Sequence, residues 1–175
     1  LNNGEIPQLL DIIQVKVVRQ SFHQYQKENI LTDHGCIWEG KYPASALSGL
    51  CDDVESLWMN DFHSANGLND RVPEETTIKE VASSLYFIKP QQFSMDISEE
   101  YDGRKKVRGK FMYKNVSYLL AITDPDIERE YIVKDVGQYL IPTKELYLTI
   151  SLSEPFNGFC YKLIAGIISG RGPLY

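Results

Sequence analysis

Arg104-Lys105-Lys106-Val107-Arg108-Gly109-Lys110-Phe111-Met112-Tyr113-Lys114, followed after Asn115 by Val116–Thr123 (VSYLLAIT), is the stretch on which the fold turns. Every second residue from Arg104 gives Arg104, Lys106, Arg108, Lys110, Met112 and Lys114, whereas the alternate set from Val107 onward is Val107, Gly109, Phe111 and Tyr113. A period of two with one charged and one apolar set marks a strand that lays one face on a core and the other in water. The apolar run that follows predicts a second strand, with Lys114-Asn115 as the turn of a hairpin.

Working outward, Ser84–Ile97 (SLYFIKPQQFSMDI) predicts a preceding strand broken at Pro90, where a ring without an N–H suits a bend or bulge. Downstream, Asp124-Pro125 supplies an N-cap with proline at the first helical position, and Asp126 and Glu128 suit the positive end of a helix running to about Lys134. Glu145–Ser153 (ELYLTISLS) alternates again, with Leu146, Leu148, Ile150 and Leu152 on one face. Phe159–Ile168 (FCYKLIAGII) is apolar on nearly both faces, as in a strand covered on two sides. Three strands, a helix and two strands is the connectivity of the five-stranded oligonucleotide/oligosaccharide-binding (OB) barrel, in which the helix plugs one end.

The first half is less regular. Asp11–Arg19 (DIIQVKVVR) alternates like a half-buried strand, Pro43–Val54 predicts a helix with Leu47, Leu50 and Val54 on one face, and Asn60–Pro73 (NDFHSANGLNDRVP) is dense in turn formers and predicts a loop. A chain of 175 residues accommodates one full domain or two small ones. Its net charge of −6 is uneven: residues 1–83 carry −7 and residues 84–175 carry +1. The acidity therefore belongs to the first half. No run approaches the roughly 18 apolar residues of a membrane-spanning helix, and three cysteines (Cys36, Cys51 and Cys160) make no disulfide framework, so a reducing cytoplasm is the expected setting. Leu1 in place of a methionine, followed at once by a polar stretch, suggests that further residues precede it.

Tyr25-Gln26-Lys27-Glu28-Asn29, Asn66-Gly67-Leu68-Asn69-Asp70-Arg71, Lys106-Val107-Arg108 and Glu154–Leu163 (EPFNGFCYKL) together resemble the dual OB-containing domain, a bacterial family. The resemblance spans almost the whole chain. It implies a mainly β protein with short helices, built of two packed OB-like units, and it implies no catalytic residues. The expected division is an N-terminal OB-like unit over residues 1–83, lacking its opening strands, and a C-terminal five-stranded barrel over residues 84–175 with a helix between strands three and four.

OB folds bind ligands on the outer face of strands two and three and on the loops joining strands one to two and four to five. The basic set Arg104, Lys106, Arg108, Lys110 and Lys114 therefore forms a candidate surface for single-stranded nucleic acid or a nucleotide-like anion, with Tyr118 as a stacking neighbour. Phe156 joins it from the loop between strands four and five. Against this stands a plain alternative, a solvated strand face or an edge guarded by lysine. Phe156-Asn157-Gly158-Phe159 is equally explained as a hairpin turn with the two rings packed across it. A second candidate pocket is Asn66, Asn69, Asp70 and Arg71; its alternative is that these side chains satisfy backbone groups in a long ordered loop. His34, Cys36, Cys51 and His63 have no metal-ligand spacing, and no phosphate-binding loop, nucleophile elbow or zinc-helix motif occurs. The sequence thus describes a non-enzymatic binding module without metal or cofactor. The alternative is a protein-interaction or regulatory module working through the acidic first half.

Overall fold

Alternation decides the elements, and the computed structural model, which describes residues 6–170, places them as follows. The basic strand is β6 (Lys105–Tyr113), joined to β7 (Val116–Ile122) through Lys114 and Asn115, which both take positive φ (47° and 63°) as a tight hairpin turn requires. Val107, Phe111 and Tyr113 are buried, whereas Lys106 and Lys110 are exposed.

The predicted first strand is split where Pro90 stands. β4 (Leu85–Ile88) pairs with β9 (Leu146–Phe156), and β5 (Gln92–Glu99) pairs with β6. β10 (Phe159–Ser169) lies antiparallel to β9 and parallel to β7, giving the hydrogen-bonded order β4-β9-β10-β7-β6-β5-β8, with β8 being Gly137–Leu140. The order of neighbours is that of an OB fold, with the two halves of strand one, β4 and β5, on opposite sides of an open path that β8 extends beyond β5. Asp124 caps α2 (Pro125–Tyr131) by accepting from the N–H groups of Asp126 and Ile127, and Ile127 and Tyr131 enter the same core as the strands.

The first half differs from expectation in three places. Pro43–Val54 is a 3-10 helix over Ala44–Leu50 only: Leu47 is buried, but Leu50 stays 51% exposed, because Ser45, Ser48 and Gly49 are poor helix formers and nothing lines up a three-turn apolar face. The loop from Asn60 ends in a short strand, β3 (Arg71–Pro73), paired with β10, and continues into α1 (Glu74–Glu80). Finally, β1 (Asp11–Gln20) and β2 (Ile30–Lys41) form a separate two-stranded sheet whose residues are almost all exposed. Its connecting loop is tied down: Tyr25 donates to Glu74 (2.9 Å), Lys27 Nζ to the Val81 carbonyl (2.9 Å), and Glu28 accepts from the Ser84 N–H (2.8 Å).

Residues 1–83 also reach into the sheet of the second half. Leu57 is fully buried in its core with its N–H on the Tyr118 hydroxyl (3.3 Å), and Tyr113 donates to the carbonyl of Val54 (2.9 Å).

Candidate functional site

Strand β6 sets out its cations two residues apart, and what each one meets decides its use. Arg104 is gripped by Asp102, Arg108 by Glu100 (2.5 Å), and Lys114 by Asp53 (2.5 Å). The Arg108 guanidinium holds the Glu100 carboxyl below the ordinary carboxylate range, Arg104 does the same to Asp102, and Asp53 pushes the Lys114 amine up. Arg108 is the most enclosed of the three, since its side chain is 13% exposed and it also donates to Ser98. Lys106 and Lys110 make no ion pair among the described residues. Lys110 lines a shallow cavity of about 270 Å³ on the outer surface of β5, β6, β7 and β8, with Ser94, Met112, Ser117 and Gln138. Gln138 donates to the Ser94 hydroxyl (2.9 Å) and so fixes one wall.

Tyr118 belongs elsewhere. The strand pleat turns it inward, where it is fully buried, stacked on Phe111 at 5.1 Å and hydrogen-bonded by Leu57, and burial pushes its phenol up. A base cannot stack on it, and the sequence expectation for this residue is corrected. The aromatic ring that does stand in solvent beside the basic face is Tyr101, fully exposed in the loop joining β5 to β6. Sequence reasoning passed over it because it lies between Glu100 and Asp102 in an irregular turn; its position in the loop between strands one and two was the signal.

Phe156 is 64% exposed at the β9–β10 turn, where Asn157 and Gly158 take positive φ (51° and 79°). Phe159, opposite it, carries the Arg71 guanidinium 4.1 Å above its ring and has Phe62 at 6.1 Å.

The second candidate cluster is a folded loop. Segment 61–70 threads beside β7, with Leu68 bridged to Leu119, and then passes to β10, where the Asp70 carbonyl accepts from Lys162. Asn69, itself at φ 51°, accepts from the Asp61 N–H (2.7 Å), donates to the Ser117 carbonyl (3.0 Å), and offers its own N–H to His63 Nδ1 (2.8 Å). Asp70 takes both the N–H and the hydroxyl of Ser64. Gly67 is required beneath it, because a Cβ there would stand 2.0 Å from Asp70 Oδ2. Asn66 donates to Glu100 (2.8 Å), tying this loop to the carboxylate that holds Arg108. The side chains of Asn69 and Asp70 are thus occupied in holding backbone, while Arg71 faces the other surface of the strand pair.

Beneath the loop lies a buried cation that the sequence hid among apolar neighbours. Lys162 is 1% exposed; its Nζ donates to the Met59 carbonyl (2.7 Å) and Asn60 Oδ1 (3.0 Å) and sits 5.2 Å from the Tyr118 ring. Burial lowers its pKa to about 7, against the pull of Asp70 and Asp61. Among the described residues no group of three or more His, Cys, Asp or Glu side chains gathers as a metal site, and no helix is long and apolar enough to cross a membrane.

The order of the strands and the two family-like loops meeting at β10 agree with one comparison. A family model described as the dual OB-containing domain matches residues 1–167. The chain belongs to that family. Searches of curated proteins and of solved structures yield no match. Membership of the dual OB-containing domain family, with its mainly β architecture, points to an OB-type binding module.

Proposed function

We propose that the module is non-enzymatic and binds single-stranded nucleic acid, or a nucleotide-like anion, across the outer face of β5, β6 and β7. The observation that carries this reading is the pair Lys106 and Lys110, on the same exposed face of β6 to either side of Arg108 and without acidic partners among the described residues, the second of them lining a cavity. Tyr101 supplies an exposed ring at one margin. Arg104, Arg108 and Lys114 contribute less, since a ligand phosphate has to compete with Asp102, Glu100 and Asp53 for them. Phe156 extends the reading to the loop between β9 and β10. The two-unit division at residues 83 and 84 is part of the proposal and is supported by the family description and the separate β1–β2 sheet. So is a cytoplasmic setting, which suits three unpaired cysteines.

Fluorescence polarization with a labelled mixed-sequence single strand tests the proposal. Affinity should fall steeply between low and moderate salt, because neutralised phosphates release counterions. Lys106→Glu with Lys110→Glu should abolish binding, and Tyr101→Ala should weaken it by about 1–3 kcal/mol if a base stacks there. Unchanged affinity in the double variant overturns the proposal.

A second reading, a protein-interaction module working through the acidic first half, is favoured by the β1–β2 ribbon, on which Val17, Val18, Ile30, Ile37 and Trp38 are each about half exposed or more. Absence of oligonucleotide binding at low salt, together with a protein partner retained by the wild type and lost on Val18→Asp with Ile37→Asp, supports it. Equal retention by both forms removes it.

A further inference from the structure

We propose that Arg71 and Phe159 form a second binding site, for a nucleoside phosphate, on the outer surface of β3 and β10. Pairing of Tyr161 with Arg71 and of Phe159 with Pro73 sets these residues on one face, with Val72, Cys160 and Lys162 buried on the other. The Arg71 guanidinium carbon lies 4.1 Å from the centre of the Phe159 ring, over its face, and the Phe62 ring stands 6.1 Å from that of Phe159. The arginines of β6 and α2 lean on carboxylates: Arg108 on Glu100, Arg129 on Asp126. Arg71 makes neither an ion pair nor a side-chain hydrogen bond among the described residues, and its Nε is buried without an acceptor.

A buried donor with no acceptor is costly, and the cost is recovered when an acceptor arrives. A planar fork pre-set on an aromatic ring takes an oxyanion through two parallel N–H bonds, which an ammonium cannot do. Phe156 stands opposite Phe159 in the pairing that closes the β9–β10 turn, is 64% exposed, and offers an apolar ring one strand away from the residue that carries the cation. A phosphate for the fork and a base for the ring occur together in a nucleoside phosphate. The ligand class has two sources, a free nucleotide or a nucleic-acid strand. The site uses strands other than those carrying Lys106 and Lys110, shares only Phe156 with the surface proposed above, and does not require the β6 face to bind anything.

Titration of the full chain with AMP, and separately with a short thymidine oligonucleotide, tests the proposal, read by calorimetry and by the NMR resonance of the Arg71 Nε–H group. Saturable binding should shift that resonance. Arg71→Lys, which keeps charge and strand pairing, should weaken affinity by about tenfold or more through loss of the bidentate fork. The surface variant Phe156→Ser should weaken it too without loss of folding, and Lys106→Glu with Lys110→Glu should leave AMP binding at wild-type strength. Binding of AMP itself assigns a free nucleotide; binding of the oligonucleotide alone assigns a strand. Either ligand binding equally well to Arg71→Lys and to Phe156→Ser overturns the site. So does an unmoved Arg71 resonance at millimolar AMP and oligonucleotide, or its displacement only by an acidic aromatic peptide, which would make the surface a protein contact.

Discussion

Lys162 shows how much one side chain can decide. Its ordinary pKa of 10.5 falls to about 7 in the folded protein, so between those values the unfolded chain binds more protons than the folded one. Stability from this group therefore rises as pH increases from about 7 towards 10, and the penalty of the buried charge is fully present below 7. Urea denaturation at pH 7 and pH 9.5 should show a larger gain for the wild type than for Lys162→Met; equal gains in the two proteins contradict the assignment. Nothing in Cys160-Tyr161-Lys162-Leu163 marked this lysine as buried, since strand alternation places it inward only once the partner strands are known. Tyr118 was misread for a related reason. Its neighbours on both sides in the chain are a serine and a leucine, and only the pleat of β7 reveals that the phenol faces Leu57 and Phe111.

Among the elements, β6 was the most legible because a charged/apolar alternation, unbroken from Lys106 to Phe111, has one structural solution. Its inward face also contains a residue chosen for size. A Cβ on Gly109 would lie 2.3 Å from the Ile164 methyl and 2.9 Å from the Phe93 ring, so β6 and β10 close on each other through this glycine. Gly109→Ala should lower the unfolding free energy by about 1–3 kcal/mol, the usual cost of overpacking a close-packed core. A denaturation midpoint equal to that of the wild type would show that Ile164 and Phe93 can give way. The helix α2 was announced by Asp124-Pro125, and the split of the first strand by Pro90. By contrast β3 and β8, of three and four residues, are too short to display a period, and both exist only because a longer strand offers them an edge. The candidate site was legible to the same degree: the basic row was readable along β6, whereas the acidic partners Asp53, Asp102 and Glu100, which occupy three of its five cations, come from turns and from the distant first half.

For the molecule as a whole, the charge count divided the chain near residue 83, and the residues on either side of that line are packed into one another. Leu57 fills the core, β3 extends β10, and Met59 and Asn60 receive the Lys162 amine. A fragment of residues 84–175 should accordingly lack cooperative unfolding by itself and regain it when residues 1–83 are supplied in trans, as circular dichroism would report. A fragment that melts at the temperature of the whole chain refutes this dependence. The β1–β2 ribbon stands apart in energy as well, because two strands without a covering layer are marginal in water; amide exchange should be fastest there and slowest in β9 and β10. Strand β10 has a further consequence. It contacts β9, which immediately precedes it, but also β7 and β3, whose residues were made well before it in the order of synthesis, and it is the last strand among the described residues. On a translating ribosome the earlier strands must wait with their apolar faces uncovered until Phe159–Ser169 has cleared the exit tunnel, and long-range closure of this kind is slow. The nascent protein should therefore pass through an interval in which its apolar strand faces are open to chaperones, and stalling synthesis before Phe159 should prolong that interval.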